Sequence, residues 1–173
     1  MPNTFVLIAT TTVGSGGAAS INFTSIPAIY TDLKVVICAR GTTASATLGL
    51  RATVNGSVLT YADIYLQGSG STGVASGSDT GGTFWYLGEL PGSTATASTF
   101  GNVELNIPNY LSANHKAMNC DGVQENNLAG TTYGTFVAGL WSTTAAVNQI
   151  TLTPASNNFA EFSSASLYGI KSS

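Results

Sequence analysis

An all-β fold, a two-sheet jelly-roll-like sandwich with Greek-key connections, is what this sequence predicts. Three observations point there. Short β-branched and aromatic segments punctuated by Gly, Ser, Thr, Asn and Pro recur from end to end. Windows with apolar residues at i, i+3, i+4 and i+7 are hard to find. The 173 residues are 43% hydrophobic and 9% aromatic, too apolar for a disordered chain with a net charge of −3. At this length one domain over residues 1–173 is the expectation, with a core large enough to need no disulfide staples.

The expected strands follow in chain order. Thr4–Thr11 contains the apolar stretch Phe5–Ala9, which is too short for a signal h-region and has no preceding positive charge, since the first lysine is Lys34. It reads as a strand, and residues 1–17 as an arm that could pair with a neighbouring copy. Ala19–Phe23 comes next, then Leu33–Arg40, whose unbroken apolar run from Val35 to Ala39 suits a strand covered on both faces. Leu48–Val54 alternates with period two, and Asn55-Gly56 after it is a tight-hairpin signal. Tyr61–Gln67 leads into Gly68–Gly82, so rich in Gly and Ser that a flexible loop is expected. Thr83–Leu90, Asn102–Ile107, His115–Val123 and Gly134–Trp141 continue the series. Gln149–Thr153 alternates again and stops at Pro154, which cannot donate to a ladder; Ala165–Ile170 closes the set. No repeat of fixed period is present, which disfavours propellers and β-helices.

Charge excludes some functions. Only 8% of residues are charged, where about 25% is usual. The five cations Lys34, Arg40, Arg51, Lys116 and Lys171 are scattered along the chain, so they cannot neutralise a row of phosphates, and no nucleic-acid partner is expected. No apolar run is long enough for a membrane span. Cys38 and Cys120 fall in strand-like segments and read as buried free thiols.

Catalytic chemistry has few candidates. His115 is the one histidine and sits between Asn114 and Lys116 at a strand start, a setting for a surface polar residue. No Gly-x-Ser-x-Gly elbow exists. Gly68-Ser-Gly-Ser-Thr-Gly73 matches the spacing of a dinucleotide fingerprint, but more Gly and Ser follow it where a helix is required. Glu89 and Glu104, on consecutive strands, are the one carboxylate pair to weigh for glycoside hydrolysis. Asp121, Glu125, Asn126 and Asn127 offer hard oxygen ligands at a spacing that matches no calcium loop. The expectation is therefore no enzyme, no cofactor and no metal. Tyr65, Trp85 and Tyr86 are the aromatics best placed to contact a glycan or a protein partner, while Trp141 reads as core.

Several stretches, taken in order, resemble small structural proteins of tailed bacteriophages. They are Thr4–Gly14 (TFVLIATTTVG), Ile21–Leu33 (INFTSIPAIYTDL), Leu90–Phe100 (LPGSTATASTF), Ile107–Tyr110 (IPNY), Gly139–Ala146 (GLWSTTAA), Ile150–Pro154 (ITLTP) and Ser166–Lys171 (SLYGIK). The resemblance implies a β-sandwich built into the virion, assembled in the host cytoplasm, with no catalytic residues. The role it favours is capsid decoration or cement, stabilising the head through contacts with the major capsid protein or other virion proteins. The alternative is a tail or fibre adhesin that binds host-surface carbohydrate. Self-association is expected, with a trimer suited to a capsid lattice.

Overall fold

The computed structural model describes residues 4–58, 60–70, 73–127 and 133–171. The fold is all-β, a sandwich of two antiparallel sheets. The strands are β1 (Phe5–Thr12), β2 (Ile21–Phe23), β3 (Asp32–Ala39), β4 (Thr47–Val54), β5 (Tyr61–Ser69), β6 (Gly73–Gly82), β7 (Trp85–Pro91), β8 (Gly101–Ile107), β9 (Lys116–Gln124), β10 (Tyr133–Trp141), β11 (Ile150–Pro154) and β12 (Ser164–Ile170). One sheet has eight strands in the order β1-β12-β3-β8-β9-β10-β5-β6, the other four in the order β2-β11-β4-β7. The chain passes back and forth between them; only β5–β6 and β8–β9–β10 are sequential neighbours in a sheet.

The eleven expected strands are all present, and a twelfth lies where a loop was expected. Most of Gly68–Gly82 is the end of β5 and the whole of β6. The pairing runs residue for residue from Ala62–Thr80 to Ser69–Gly73. Backbone hydrogen bonds suffice to order a Gly/Ser-rich segment once a regular edge is offered to it. The ring of Tyr65 also lies over Gly77, where a Cβ would come within 2.6 Å of it, so an aromatic covers the bare backbone of a glycine on the neighbouring strand.

Three further expectations are corrected. Asn55-Gly56 does form a tight turn, with φ of 53° and 66° and a Ser57 N–H to Val54 carbonyl bond of 2.9 Å, yet it closes no hairpin. β4 pairs with β7 and β11, and the turn carries the chain into the other sheet. The Asn55 side chain explains this. Its Oδ1 accepts from the N–H groups of Asn148 and Gln149 at 2.9 and 3.1 Å, and its Nδ2 donates to the Ala146 carbonyl at 2.7 Å, which binds the turn to the segment entering β11. Beyond it the Tyr61 hydroxyl on β5 accepts from Val54 N–H at 2.7 Å and donates to the Val54 carbonyl at 3.2 Å, pinning one sheet to the other.

The run Val35–Ala39 is covered on one face only. Leu33, Val35, Ile37 and Ala39 are buried, while Val36 is half-exposed and Cys38 is exposed. Of the two free thiols only Cys120 is buried. The small sheet packs on one side of the large one, and the other side stays open.

The core joins both sheets: Leu33, Val35, Ile37, Val103, Leu105 and Ile107 from the large one meet Leu50, Ala52, Val54, Trp85, Leu87, Ile150 and Leu152 from the small one. Its rim is held by a buried cation. Arg40 Nη1 donates to the carbonyls of Thr96 (2.7 Å) and Thr99 (3.1 Å) and to Thr99 Oγ1 (3.1 Å), and Nη2 donates to the Ala95 (2.9 Å) and Ser93 (3.4 Å) carbonyls. One guanidinium thus organises residues 93–99, most of the Leu90–Phe100 stretch. A planar fork with five donors suits such a ring of carbonyls, which a lysine could not span.

Candidate interaction surface

The outer face of the eight-stranded sheet is the largest open feature. Inward residues on β8 are apolar and outward ones polar: Asn102, Glu104 and Asn106 face out. Glu104 there pairs with Lys34 at 2.5 Å. At the β5–β10 end the outward residues are apolar instead. The outward residues of β5 and β10 are Ala62, Ile64 and Leu66 and then Phe136, Ala138 and Leu140, with Phe136 opposite Leu66 and Ala138 opposite Ile64. Phe136 is 66% exposed, Ile64 61%, Leu66 51% and Val74 75%.

Ile64, Leu66, Val74, Val123, Phe136 and Leu140 together form an apolar strip on this open face, and contiguous exposed apolar surface of this kind marks contact sites. An open depression runs between Ile64, Leu66, Asn119, Asp121, Phe136 and Ala138. A smaller apolar strip lies at the opposite end, where Phe5 and Leu7 of β1 stand beside Ile170 and Tyr168.

Beneath the strip, the inner side of β5 is polar. Asp63 Oδ2 accepts from the Tyr86 N–H at 3.1 Å, Gln67 Nε2 lies 3.4 Å from Thr135 Oγ1 and 3.5 Å from the Tyr86 hydroxyl, and that hydroxyl donates to Glu89 Oε1 at 2.8 Å. Tyr65 packs edge-on against Tyr86, with centroids 5.4 Å apart and planes at 63°. Burial pushes the carboxyls of Glu89 and Asp63 above the usual carboxylate range, against the opposing hydrogen bonds from Tyr86. Burial and the neighbouring Glu89 raise the Tyr86 hydroxyl as well.

The sequence candidates scatter. Tyr65 and Tyr86 are brought together, both half-buried. Trp85 is removed from any surface: it is 0% exposed, stacked edge-to-face on Tyr61 at 5.5 Å. β7 alternates so that Trp85 and Leu87 enter the core while Tyr86 turns over the sheet edge, and Trp141 is buried too. Glu89 and Glu104 lie on different sheets and both point away from the core, which therefore stands between them and rules out a shared bond. His115 is exposed just ahead of β9. Among the described residues no group of three or more His, Cys, Asp or Glu could hold a metal ion, and Glu125 Oε1 instead accepts from the Asn127 N–H. Among the described residues no helix is long and apolar enough to cross a membrane.

The strip Ile64, Leu66, Phe136 and Leu140 is the feature that the sequence reading missed. Its signal was present: Ile64 and Leu66 alternate with the polar positions Asp63 and Gln67, which fixes that they share a face but not which face.

Fold and surface define a two-sheet β-sandwich protein with one open, partly apolar sheet face. No protein-family model matches the chain, and no curated protein does. Among solved structures it is similar to galectin LEC-6 of Caenorhabditis elegans, at 10% identity over 94% of this chain and 96% of that one, with a TM-score of 0.34.

Proposed function

We propose that this protein is a non-enzymatic structural subunit of a bacteriophage particle, a decoration or cement protein that docks on major capsid subunits through the open face of its large sheet. The observation that carries the reading is the strip Ile64, Leu66, Phe136 and Leu140 on a sheet whose outer face holds few charges. Such a face can be covered with little loss of ion hydration, which would otherwise cost several kcal/mol per buried charge. The resemblance of Leu90–Phe100 and the other stretches to virion proteins supplies the particle.

Quantitative mass spectrometry of purified particles tests this directly. The chain is expected in the virion at a copy number comparable to that of the major capsid protein; its absence overturns the proposal, and a few copies per particle assigns it to the tail. Particles lacking it are expected to rupture at lower temperature, because a ligand of the assembled state stabilises that state by mass action.

A second reading, a tail or fibre adhesin, draws on the half-buried Tyr65–Tyr86 pair beside Gln67 and Glu89, where aromatic edges meet amide and carboxylate groups. A glycan array with wild type and Tyr65→Ala distinguishes it: specific binding that the substitution abolishes would favour the adhesin, and an empty array removes it.

A further inference from the structure

Each sheet has two edges, and three of the four are guarded. β2 is only three residues long. β7 ends in Pro91, its register with β4 shifts at Leu50/Arg51, and its Tyr86 N–H is taken by Asp63. β1 breaks register with β12 between Leu7 and Ala9. These are the usual devices that stop sheets from pairing with a stray strand: shortness, proline and bulges.

β6 is neither short nor broken by proline, and its one register shift with β5, where Gly81 is skipped between the Tyr61–Gly82 and Ala62–Thr80 pairs, lies at its very end and leaves Gly73–Thr80 regular. It runs ten residues, GVASGSDTGG, with no proline, no lysine or arginine and a single carboxylate, Asp79. Both its faces are open along nearly the whole length, and no strand covers its outer edge among the described residues. We propose that two copies of this chain pair through β6, edge to edge and antiparallel, joining their eight-stranded sheets into one.

The sequence of β6 is self-compatible in this arrangement. Gly73 and Gly81 have φ of +80° and +74°, which bounds the extended run at Val74–Thr80, with Gly77 at its centre. A two-fold axis through Gly77 sets Val74 opposite Thr80, Ala75 opposite Asp79 and Ser76 opposite Ser78, so the two carboxylates do not face each other. A foreign strand recognised by augmentation is normally selected by pockets for its alternate side chains; the inward side of β6 offers only Gly73, Ala75, Gly77 and Asp79. The same strand in both partners meets the symmetry of the commonest oligomers.

The axis of an antiparallel pair stands perpendicular to the sheet, so both outer faces point the same way. Each copy's Val74, Leu66, Ile64 and Phe136 then lie on one side of the joined sheet. An edge pair of this kind closes at two copies, not the three expected from the sequence.

Sedimentation equilibrium over about two decades of concentration tests the pairing. Wild type is expected to reach twice the 17.6 kDa chain mass. Ser76→Lys/Ser78→Lys places lysines opposite one another across the axis and is expected to weaken self-association by about a hundredfold or more. Val74→Lys, at a residue 75% exposed on the same strand, is expected to weaken it in the same direction and is the check should the double variant fold poorly. A wild type that stays a single chain throughout overturns the proposal. So does a dimer or trimer that folded Lys variants, matched to wild type in circular dichroism, retain at unchanged strength. Presence in the virion is measured separately, so either proposal can fail alone.

Discussion

The middle of the large sheet and its β5–β6 end obey opposite rules. Under the small sheet, β3 and β8 bury Leu33, Val35, Ile37, Val103, Leu105 and Ile107 and turn Lys34, Glu104 and two asparagines outward. Towards the far edge, β5 keeps Asp63 and Gln67 on its inner side and turns Ile64 and Leu66 to the outside. In the first region apolar side chains are where folding needs them. In the second, folding cannot account for their position, because an exposed Ile or Phe adds little to the stability of an isolated chain. The contrast separates residues that build the sandwich from residues free to serve a contact.

Substitution breaks the contrast most sharply. Trp85→Ala empties the fully buried site between the sheets and is expected to cost about 3–5 kcal/mol. Phe136→Ser, on the open face, is expected to stay within about 0.5 kcal/mol of wild type. Urea unfolding of both reads the difference. If Phe136→Ser costs several kcal/mol, the outer strip is part of the fold after all.

The Arg40 clamp is the next largest effect. Truncation in Arg40→Ala strands several carbonyls of residues 93–99 around an empty site, each worth about 1 kcal/mol, so about 2–4 kcal/mol is expected overall. Hydrogen exchange should show amide protection falling first in residues 93–99, with β5 and β6 unchanged. A uniform loss along the chain would mean that the clamp does not act locally. Arg40→Lys keeps the charge but not the fork and is expected to recover only part of the loss.

Much of this fold was legible and its sidedness was not. Period-two alternation in Leu48–Val54 and Gln149–Thr153, and turn residues between segments, marked eleven strands because they reflect local chemistry. β6 was hidden because its order comes from the neighbouring edge of β5, a non-local cause that composition does not carry. Asn55-Gly56 fixed a turn, but whether the chain stays in its sheet after it depends on where residues 146–149 lie. For β5 the ordinary rule, apolar inward, fails: Tyr61 reaching across to Val54 and Asp63 capping β7 fix the face, and Ile64 and Leu66 are carried outward with them. Of the three aromatics singled out, parity along β7 divides Trp85 from Tyr86, as alternation required, but only the structure shows which of them is inside.

The thiols give a smaller, binary test of coverage. Cys38 faces out from β3, while Cys120 is buried, its Sγ 3.2 Å from the Leu87 carbonyl and its pKa pushed up by burial. A thiol reagent is expected to titrate one cysteine in the native protein and both in urea. Two fast-reacting thiols would show that β9 is open on its inner side; none would show that Cys38 is covered, as it would be if a partner sat over β3.

The smallest expected effect concerns the polar corner beneath the apolar strip. Burial lifts the carboxyl pKa of Glu89 and Asp63 in the folded protein above the unfolded values, so near and just above the ordinary range, about 4, the native state holds more protons than the unfolded one. The stability these groups contribute is thus present in full below the unfolded pKa and lost as pH rises through the folded one. Glu89→Gln cannot titrate and keeps an acceptor for the Tyr86 hydroxyl. Its stability relative to wild type should therefore be lowest at acid pH and improve as pH is raised through the carboxylate range, read as the difference in thermal midpoint between the two proteins. A difference that stays constant with pH would mean that Glu89 is as well solvated folded as unfolded, and that the corner beside Tyr65 and Tyr86 is open to water like the face above it.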